Sequence, residues 1–359
     1  MSFFLYDTWY FACLSRDLAP GRMSRKELLG EPIVLGRTKA GEAFALRDIC
    51  PHRASPLSAG AIWEAGTAPE KAAAKGAPAT VECPYHGWRY RIADGVCAAI
   101  PSLVEGQDLD VERIRVRRYP LREKDGLVWI YVAASKHFQG EPDDPPPELP
   151  VSLGKPKMVE RALFHCHVDH AVVGLMDPAH GPYVHRQWWW RSGDSIHAKD
   201  KRFEPRPFGF AMAAHRPSSN SYAYRLIGGQ PTTEIAFRLP SLRTEHIKNA
   251  RHEILGFTAV TPLNERETEI TQVFFWRFPL FDLIKPVIRP FARAFLHQDG
   301  DMVNLQQEGL RYDPNLMLID DADAQAKWYH RLKKEWVASK EENRAFNNPV
   351  EAVTLRWRS

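Results

Sequence analysis

Long apolar runs are missing from this sequence. Nowhere does it reach the ~18 uncharged apolar residues that a membrane-spanning helix needs, so no transmembrane segment is expected. The opening residues Met1-Ser2-Phe3-Phe4-Leu5-Tyr6-Asp7 lack a basic n-region and a small-residue cleavage site, and no signal peptide is expected either. Charge of one sign is also scarce. The formal net charge of +4 is small and diffuse, which argues against nucleic acid as a partner. No internal repeat stands out. No GxGxxG fingerprint is present, so a nicotinamide cofactor is expected to bind a partner protein rather than this chain.

What remains is an ordinary globular composition, 44% apolar and 26% charged, in a chain of 359 residues. That length accommodates two domains with substantial cores. Residues 1 to about 140 alternate short apolar runs with turn signals, as in Pro32-Ile33-Val34-Leu35-Gly36, Ala43-Phe44-Ala45-Leu46 and Leu127-Val128-Trp129-Ile130-Tyr131-Val132. Runs of this kind read as strands. The stretch Glu141-Pro142-Asp143-Asp144-Pro145-Pro146-Pro147-Glu148-Leu149-Pro150 suits neither a helix nor a central strand and reads as a linker. Beyond it, helical patterning at about 167–180 gives way to strand-like runs over 205–278, including Ser221–Leu226 and Thr271–Trp276. A helical stretch from about Leu283 to Leu310, opened by Pro286 and Pro290, and a charged helix at about 321–340 follow. The expected class is α+β. The expected division is 1–140, a linker at 141–155, and 156–359.

Two short segments carry the chemistry of the first domain. Cys50-Pro51-His52-Arg53 and Cys83-Pro84-Tyr85-His86-Gly87-Trp88 each pair one cysteine with one histidine. Two thiolates on one iron and two imidazoles on the other is the ligand set of a Rieske [2Fe–2S] centre. On this reading Cys50 and Cys83 bind one iron and His52 and His86 the second. A Cys2His2 zinc site is the rival, but it usually draws on C-x2–4-C and H-x3–5-H pairs rather than mixed ones. The odd, scattered remainder Cys13, Cys97 and Cys166 argues for free thiols in a reducing compartment, by default the cytoplasm.

A second constellation, Asp177-Pro178-Ala179-His180-Gly181-Pro182-Tyr183-Val184-His185, has the form D-x2-H-x4-H. Two neutral imidazoles and a carboxylate make the facial triad that holds non-heme Fe(II) and leaves positions open for O2. Gly181-Pro182 breaks the helix and re-aims the second imidazole. The run Trp188-Trp189-Trp190 that follows either walls a pocket or fills a core. The stretch Phe274 to Phe295, with Arg277, Lys285, Arg289 and Arg293 interspersed, either borders a substrate entrance or a membrane surface, or is a packed connection with snorkelling basic residues.

With both motifs in view, the chain resembles the Rieske non-heme iron oxygenases of the alpha-subunit type, from Trp9-Tyr10 to an acid-bearing helix near residue 300. The resemblance implies an N-terminal all-β Rieske domain followed by a helix-grip catalytic domain, a curved antiparallel sheet wrapped on a long helix. It implies His180 and His185 as iron ligands, Asp177 as the bridge between the two metal centres, and a later carboxylate as third ligand. In Phe295-Leu296-His297-Gln298-Asp299-Gly300-Asp301 that acid is expected to be Asp299, with Asp301 the close rival and Glu308 more distant. Two departures stand out. Where many members place Asn or Glu before the bridging Asp, this chain has Gly174 and Val173, so Asp169 or His170 is the candidate for that polar role. Thr67–Ala79 looks like an insertion, Ala-rich and Pro-bounded, expected to be an exposed loop.

The implied activity is that of a terminal oxygenase. Electrons from a ferredoxin or reductase, drawn ultimately from NAD(P)H, would be relayed through the cluster to a mononuclear Fe(II). O2 would then hydroxylate or oxidatively demethylate a hydrophobic aromatic, alicyclic or sterol-like substrate. The wording of the histidine motif looks closer to monooxygenases and demethylases than to ring cis-dihydroxylating dioxygenases. A Rieske electron carrier without oxygenase activity is the reading from a different class. The resemblance also implies a homotrimer, in which each cluster sits beside a neighbour's iron.

Overall fold

The computed structural model describes residues 4–67, 77–185, 196–217 and 227–359. The Trp188–Trp190 run, the strand expected at Ser221–Leu226 and most of the Thr67–Ala79 segment lie outside these residues. The chain forms two compact units, one of residues 6–148 and one of residues 1–5 with 149–359.

The 6–148 unit is built from small antiparallel sheets. Strands β1 (Thr8–Leu14), β2 (Arg22–Leu28), β3 (Glu31–Arg37), β4 (Ala43–Arg47) and β5 (Ala61–Trp63) are followed by β6 (Thr80–Glu82), β7 (Arg89–Arg91), β8 (Cys97–Ala99), β9 (Leu121–Lys124) and β10 (Leu127–Val132). They pair as β1-β10-β9, β2-β3-β4 and β5-β6-β7-β8. Val34, Leu46, Leu57, Val81 and Tyr90, all at 0% exposure, form the centre of its core. β5 and β6 are in register from Ala61↔Glu82 to Trp63↔Thr80. Their hairpin is closed further out where Gly66 N–H donates to the Ala77 carbonyl at 3.0 Å. The proline-rich segment is held to the same unit: Trp9 Nε1 donates to the Asp144 carbonyl at 2.8 Å, and Glu141 pairs with Arg118 and Arg122.

The other unit carries a single antiparallel eight-stranded sheet in the order β11-β17-β16-β15-β14-β13-β12-β18. Its strands are β11 (Met158–Phe164), β12 (Ala198–Arg206), β13 (Gly209–His215), β14 (Thr232–Arg238), β15 (Leu242–Lys248), β16 (Glu253–Asn264), β17 (Glu267–Arg277) and β18 (Val353–Arg358). The helices are α1 (Val168–Met176), α2 (Gly181–Val184), α3 (Pro279–Leu310) and α4 (Ala324–Glu341). An all-β unit followed by a large antiparallel sheet with few helices is the α+β arrangement expected.

Three local features place the helices. α1 ends at Met176 rather than near residue 180, because Asp177 precedes Pro178 and sits in an extended conformation (ψ 119°). The histidine motif therefore starts beyond the helix, not on it. α3 begins at Pro279, earlier than expected, and runs through Pro286 and Pro290 instead of being opened by them. Both prolines are solvent-exposed, so the carbonyls they leave without a helix partner can be hydrated. Against the sheet, α3 comes unusually close to β11: a Cβ on Gly300 would lie 2.8 Å from Phe164 Cε1, so only glycine fits there. Two and three turns earlier, Arg293 and Arg289 both pair with the buried carboxylate of Glu160 on β11. That clamp accounts for two of the interspersed basic residues. The same helix leaves Leu283 and Val287 exposed at 77% and 64%. α4 packs into the same core, where Trp328 meets Phe203 and Phe210 with ring centroids 5.4 and 5.1 Å apart.

Candidate metal centres

In the all-β unit, the two Cys/His segments fold into loops with matching closures. Cys50 N–H donates to the Ser55 carbonyl (2.9 Å), and the Cys50 carbonyl accepts from Ala54 N–H (2.9 Å). Cys83 N–H likewise donates to the Trp88 carbonyl (2.8 Å), and the Cys83 carbonyl accepts from Gly87 N–H (3.1 Å). Each closure needs a residue at positive φ, filled by Ala54 (58°) and Gly87 (71°). In such a turn the cysteine points inward and the histidine stays near the rim.

The result is a site with two unlike ends. Cys50 and Cys83 are buried at 1% and 2% exposure, while His52 is exposed and His86 half-buried. The two imidazoles lie side by side, 4.5 Å between centroids, with Trp88 stacked on His52 at 4.6 Å. Burial pushes the Cys83 thiol up; the Tyr85 and His86 backbone N–H groups oppose this, and the Cys50 thiol reinforces it. Partial desolvation, then His52 and Arg53, hold His86 below the ordinary histidine range, in the neutral form a metal requires. Two buried sulfurs at one end and two neutral imidazoles at the other suit a cluster with chemically distinct irons. A single zinc ion would instead draw all four ligand atoms to one point. Among the described residues, the group of three or more that converges in that way is a different one.

That group is His180, His185 and Asp299, whose ligand atoms all lie within 4.8 Å of one another. His180 caps the start of α2, His185 its end, and Asp299 projects from α3 beside Gly300. The Nε2 atoms of the two histidines are 3.2 Å apart, and Asp299 Oδ1 is 3.4 Å from His180 Nε2 and 3.1 Å from His185 Nε2. Burial disfavours ionised Asp299, but the two imidazoles outweigh it and keep its carboxyl below the usual range. Burial also works against a charged His180, and Asp177 and Asp299 overcome it, raising its pKa to about 9. Three ligand atoms crowded on one point, with His180 favouring positive charge where a cation would sit, is the electrostatic form of a metal site. Asp301 and Glu308 are exposed and stand outside this group.

Asp177 ends α1 with its carboxylate divided between two roles. Oδ1 accepts from Ala179 N–H at 2.7 Å, which fixes the turn into the motif. Oδ2 faces His180 Nδ1 at 3.7 Å. Asp169, considered above as a polar neighbour of the site, is committed elsewhere: Tyr329 Oη and Lys333 Nζ on α4 both donate to its Oδ1 at 2.6 Å. His170, the other candidate, is held below the ordinary range by burial.

Two residues that the sequence reading passed over prove central. Gln298, just before Asp299, has Oε1 2.8 Å from His185 Nδ1. It thereby fixes the ring orientation, while Phe295, one turn earlier, stacks on His185 at 3.6 Å. In the other unit Tyr90 Oη lies 3.2 Å from Cys50 Sγ in a fully buried contact. Burial, reinforced by Cys50, pushes the Tyr90 phenol well above its ordinary range, so it remains an O–H.

Comparison with known proteins adds the following. A family model described as the Rieske [2Fe-2S] domain matches residues 8–120, and one described as the vanillate O-demethylase oxygenase C-terminal domain matches residues 164–339. The chain is 24% identical to the 4beta-methylsterol monooxygenase of Methylococcus capsulatus over 357 residues, covering 92% of this chain and 88% of that protein. It is 31% identical to the chloroplastic chlorophyllide a oxygenase of Chlamydomonas reinhardtii over 181 residues, 50% of this chain and only 24% of that protein. A crystal structure of apo dicamba monooxygenase superposes with a TM-score of 0.70 at 21% identity, over 95% of this chain and 100% of that one.

Proposed function

This chain belongs to the Rieske non-heme iron oxygenases, and we propose that it is a terminal oxygenase that hydroxylates or oxidatively demethylates a hydrophobic small molecule. The observation that carries this reading is the convergence of His180, His185 and Asp299 on one point, in a chain that also holds a Rieske domain. A bare electron carrier has no use for a second centre.

The residues fit the metals that the family implies. Two imidazole nitrogens and one carboxylate oxygen within 3.1–3.4 Å of one another suit Fe(II), which such a triad binds with coordination positions to spare. An iron held there would supply O2 activation, and a cluster on Cys50, His52, Cys83 and His86 would supply one electron at a time. The protein side chains do the positioning. Gln298 accepts from His185 Nδ1–H, which leaves the Nε2 lone pair to face the metal. Phe295 covers the His185 ring and keeps water off it. Asp299 is held ionised by its two imidazole neighbours. Asp177 sets the turn that brings His180 into place, and its second oxygen is suited to orient that ring.

The finer elements of the reading rest on the family. Asp177 also links His180 to His86 of a neighbouring copy in a homotrimer, and a ferredoxin or reductase delivers the electrons. Cys13, Cys97 and Cys166, left as free thiols beyond the cluster ligands, fit a reducing compartment, the cytoplasm. For the substrate class, the matched demethylase domain and the methylsterol relative both support methyl-bearing aromatic or alicyclic molecules.

The test is turnover of protein loaded with both metals, supplied with a surrogate reductase, against a panel of aryl methyl ethers and methylsterols. A third iron per chain beyond the two of the cluster, and formaldehyde or a hydroxylated product carrying one atom from labelled O2, is expected. Two labelled atoms in the product would replace this reading with cis-dihydroxylation. Two irons per chain and no product would leave an electron carrier.

A further inference from the structure

The inner and outer faces of the first half of α3 are built for different neighbours. Inward, Phe281, Ile288 and Ala292 pack on a core cluster of Met158, Ile254, Trp276 and Phe278. Outward, Leu280, Leu283, Pro286, Val287, Pro290 and Ala294 fall within about 120° of the helix circumference, a line about four turns long. All six are exposed, and no charged side chain falls within the line. A continuous exposed apolar face of this kind marks an interaction surface. Its surroundings are basic. Arg277 donates to the Ser152 carbonyl, Lys285 to the Lys157 carbonyl, and Lys157 pairs with Asp282. With Lys155, Arg289 and Arg293 these make six basic residues against two acids, Glu160 and Asp282, an excess equal to the whole chain's net charge of +4. The rest of the sequence is therefore balanced.

We propose that this face of α3 docks the protein on an anionic lipid bilayer, with the helix lying in the headgroup layer. Among the described residues no helix is long and apolar enough to cross a membrane. An apolar line with basic residues beside it instead suits a helix that lies on one, its apolar side sunk toward the acyl chains. Two features select lipid over a second copy of the chain. Two copies meeting on this face would set the same basic surroundings against each other, whereas anionic headgroups attract them. Pro286 and Pro290 also leave the carbonyls of Asp282 and Pro286 without an intrahelical donor. A dry protein interface would strand such groups, and the hydrated headgroup layer satisfies them. The inference is independent of the oxygenase reading. It adds that the helix supplying Asp299 sits at the phase in which hydrophobic molecules concentrate.

Vesicle flotation of the full chain tests this, with phosphatidylcholine alone and with phosphatidylcholine mixed with phosphatidylglycerol. The wild type is expected to float with the mixed vesicles, to prefer them over phosphatidylcholine, and to be released by raised salt. Leu283→Asp removes apolar contact and adds repulsion, and should weaken binding by at least about tenfold. Val287→Asn is the milder variant, and it decides should Leu283→Asp fail to fold. Both positions are exposed, so each variant should melt and elute from a sizing column as the wild type does. No binding of the wild type to the mixed vesicles, equal binding to both kinds, or unchanged binding by the folded variants would each overturn the proposal. A variant that lowers the oligomeric state would overturn it too, by assigning the face to a second copy of the chain.

Discussion

Replacing Gln298 by alanine removes the acceptor of His185 Nδ1 without touching any of the three converging ligands. The bond is 2.8 Å long and the His185 side chain is 2% exposed, so solvent does not restore it. Two routes give its worth. Partners that orient a ligating histidine typically account for about 10–100-fold in metal affinity, or about 1.4–2.7 kcal/mol. Independently, stranding a buried donor costs about 1–3 kcal/mol. The two ranges coincide, and we expect Fe(II) binding to weaken by about 10–100-fold. The measurement is a titration with Fe(II), or Co(II) as a coloured substitute, of protein stripped at this site with its cluster spectrum intact. Gln298→Glu keeps an acceptor at the same reach and should bind within about threefold of the wild type or more tightly. An alanine variant that binds metal like the wild type, or a glutamate variant as weak as alanine, would refute the reasoning.

Asp299→Ala should lose the mononuclear iron and retain the cluster, while Asp301→Ala keeps both; iron analysis that reversed the two would move the third ligand by two residues. Lys333→Met removes the ammonium paired with the largely buried Asp169 carboxylate, and should destabilise the fold by about 3 kcal/mol at neutral pH. Burial raises the Asp169 pKa, but Lys333 and Tyr329 together depress it below the ordinary value. The contribution of the pair is thus full above the unfolded pKa of about 3.9 and is lost as pH falls through the lower folded value. Urea unfolding at pH 7 and in acid should show the gap between variant and wild type closing only in strong acid. Asp177→Asn should keep both metals but slow oxidation of the reduced cluster in a single turnover with substrate and O2, because an amide replaces a charged acceptor. Unimpaired oxidation would reduce Asp177 to the turn-capping role its Oδ1 plays.

What could be read from the sequence was what is local in the chain. The Cys/His pairs sit two and three residues apart within tight loops, and backbone closure at Ala54 and Gly87 keeps each pair together. The α+β class followed from short β-branched runs and a long helical stretch. The convergence of Asp299 on the histidines depends on α3 meeting β11 at Gly300, a contact between residues 136 positions apart that no local pattern announces. Gln298 was invisible for the same reason, its partner lying 113 residues away. Tyr90 looked like any core aromatic, and only its distance to Cys50 distinguishes it. The helix ends were misplaced where proline was weighed too lightly at Asp177-Pro178 and too heavily at Pro286 and Pro290. In the first case the residue before proline lost its helical option, and in the second an exposed helix face tolerated the missing donors.

The hairpin closed at Gly66 and Ala77 makes a cassette of the chain between them. Its stem is fixed by the Ala61–Trp63 pairing with Thr80–Glu82 and by Trp63 Nε1 donating to Glu82 at 2.8 Å. Whatever joins residue 67 to residue 77 is thus anchored at both ends before it begins. Doubling the length of such a loop costs only about 0.6 kcal/mol in closure entropy. The segment is therefore a natural port for a covalent label, an affinity handle or a tethered electron donor. A donor grafted there would reach the Rieske unit by construction, converting a partner that must be found by diffusion into part of the same molecule.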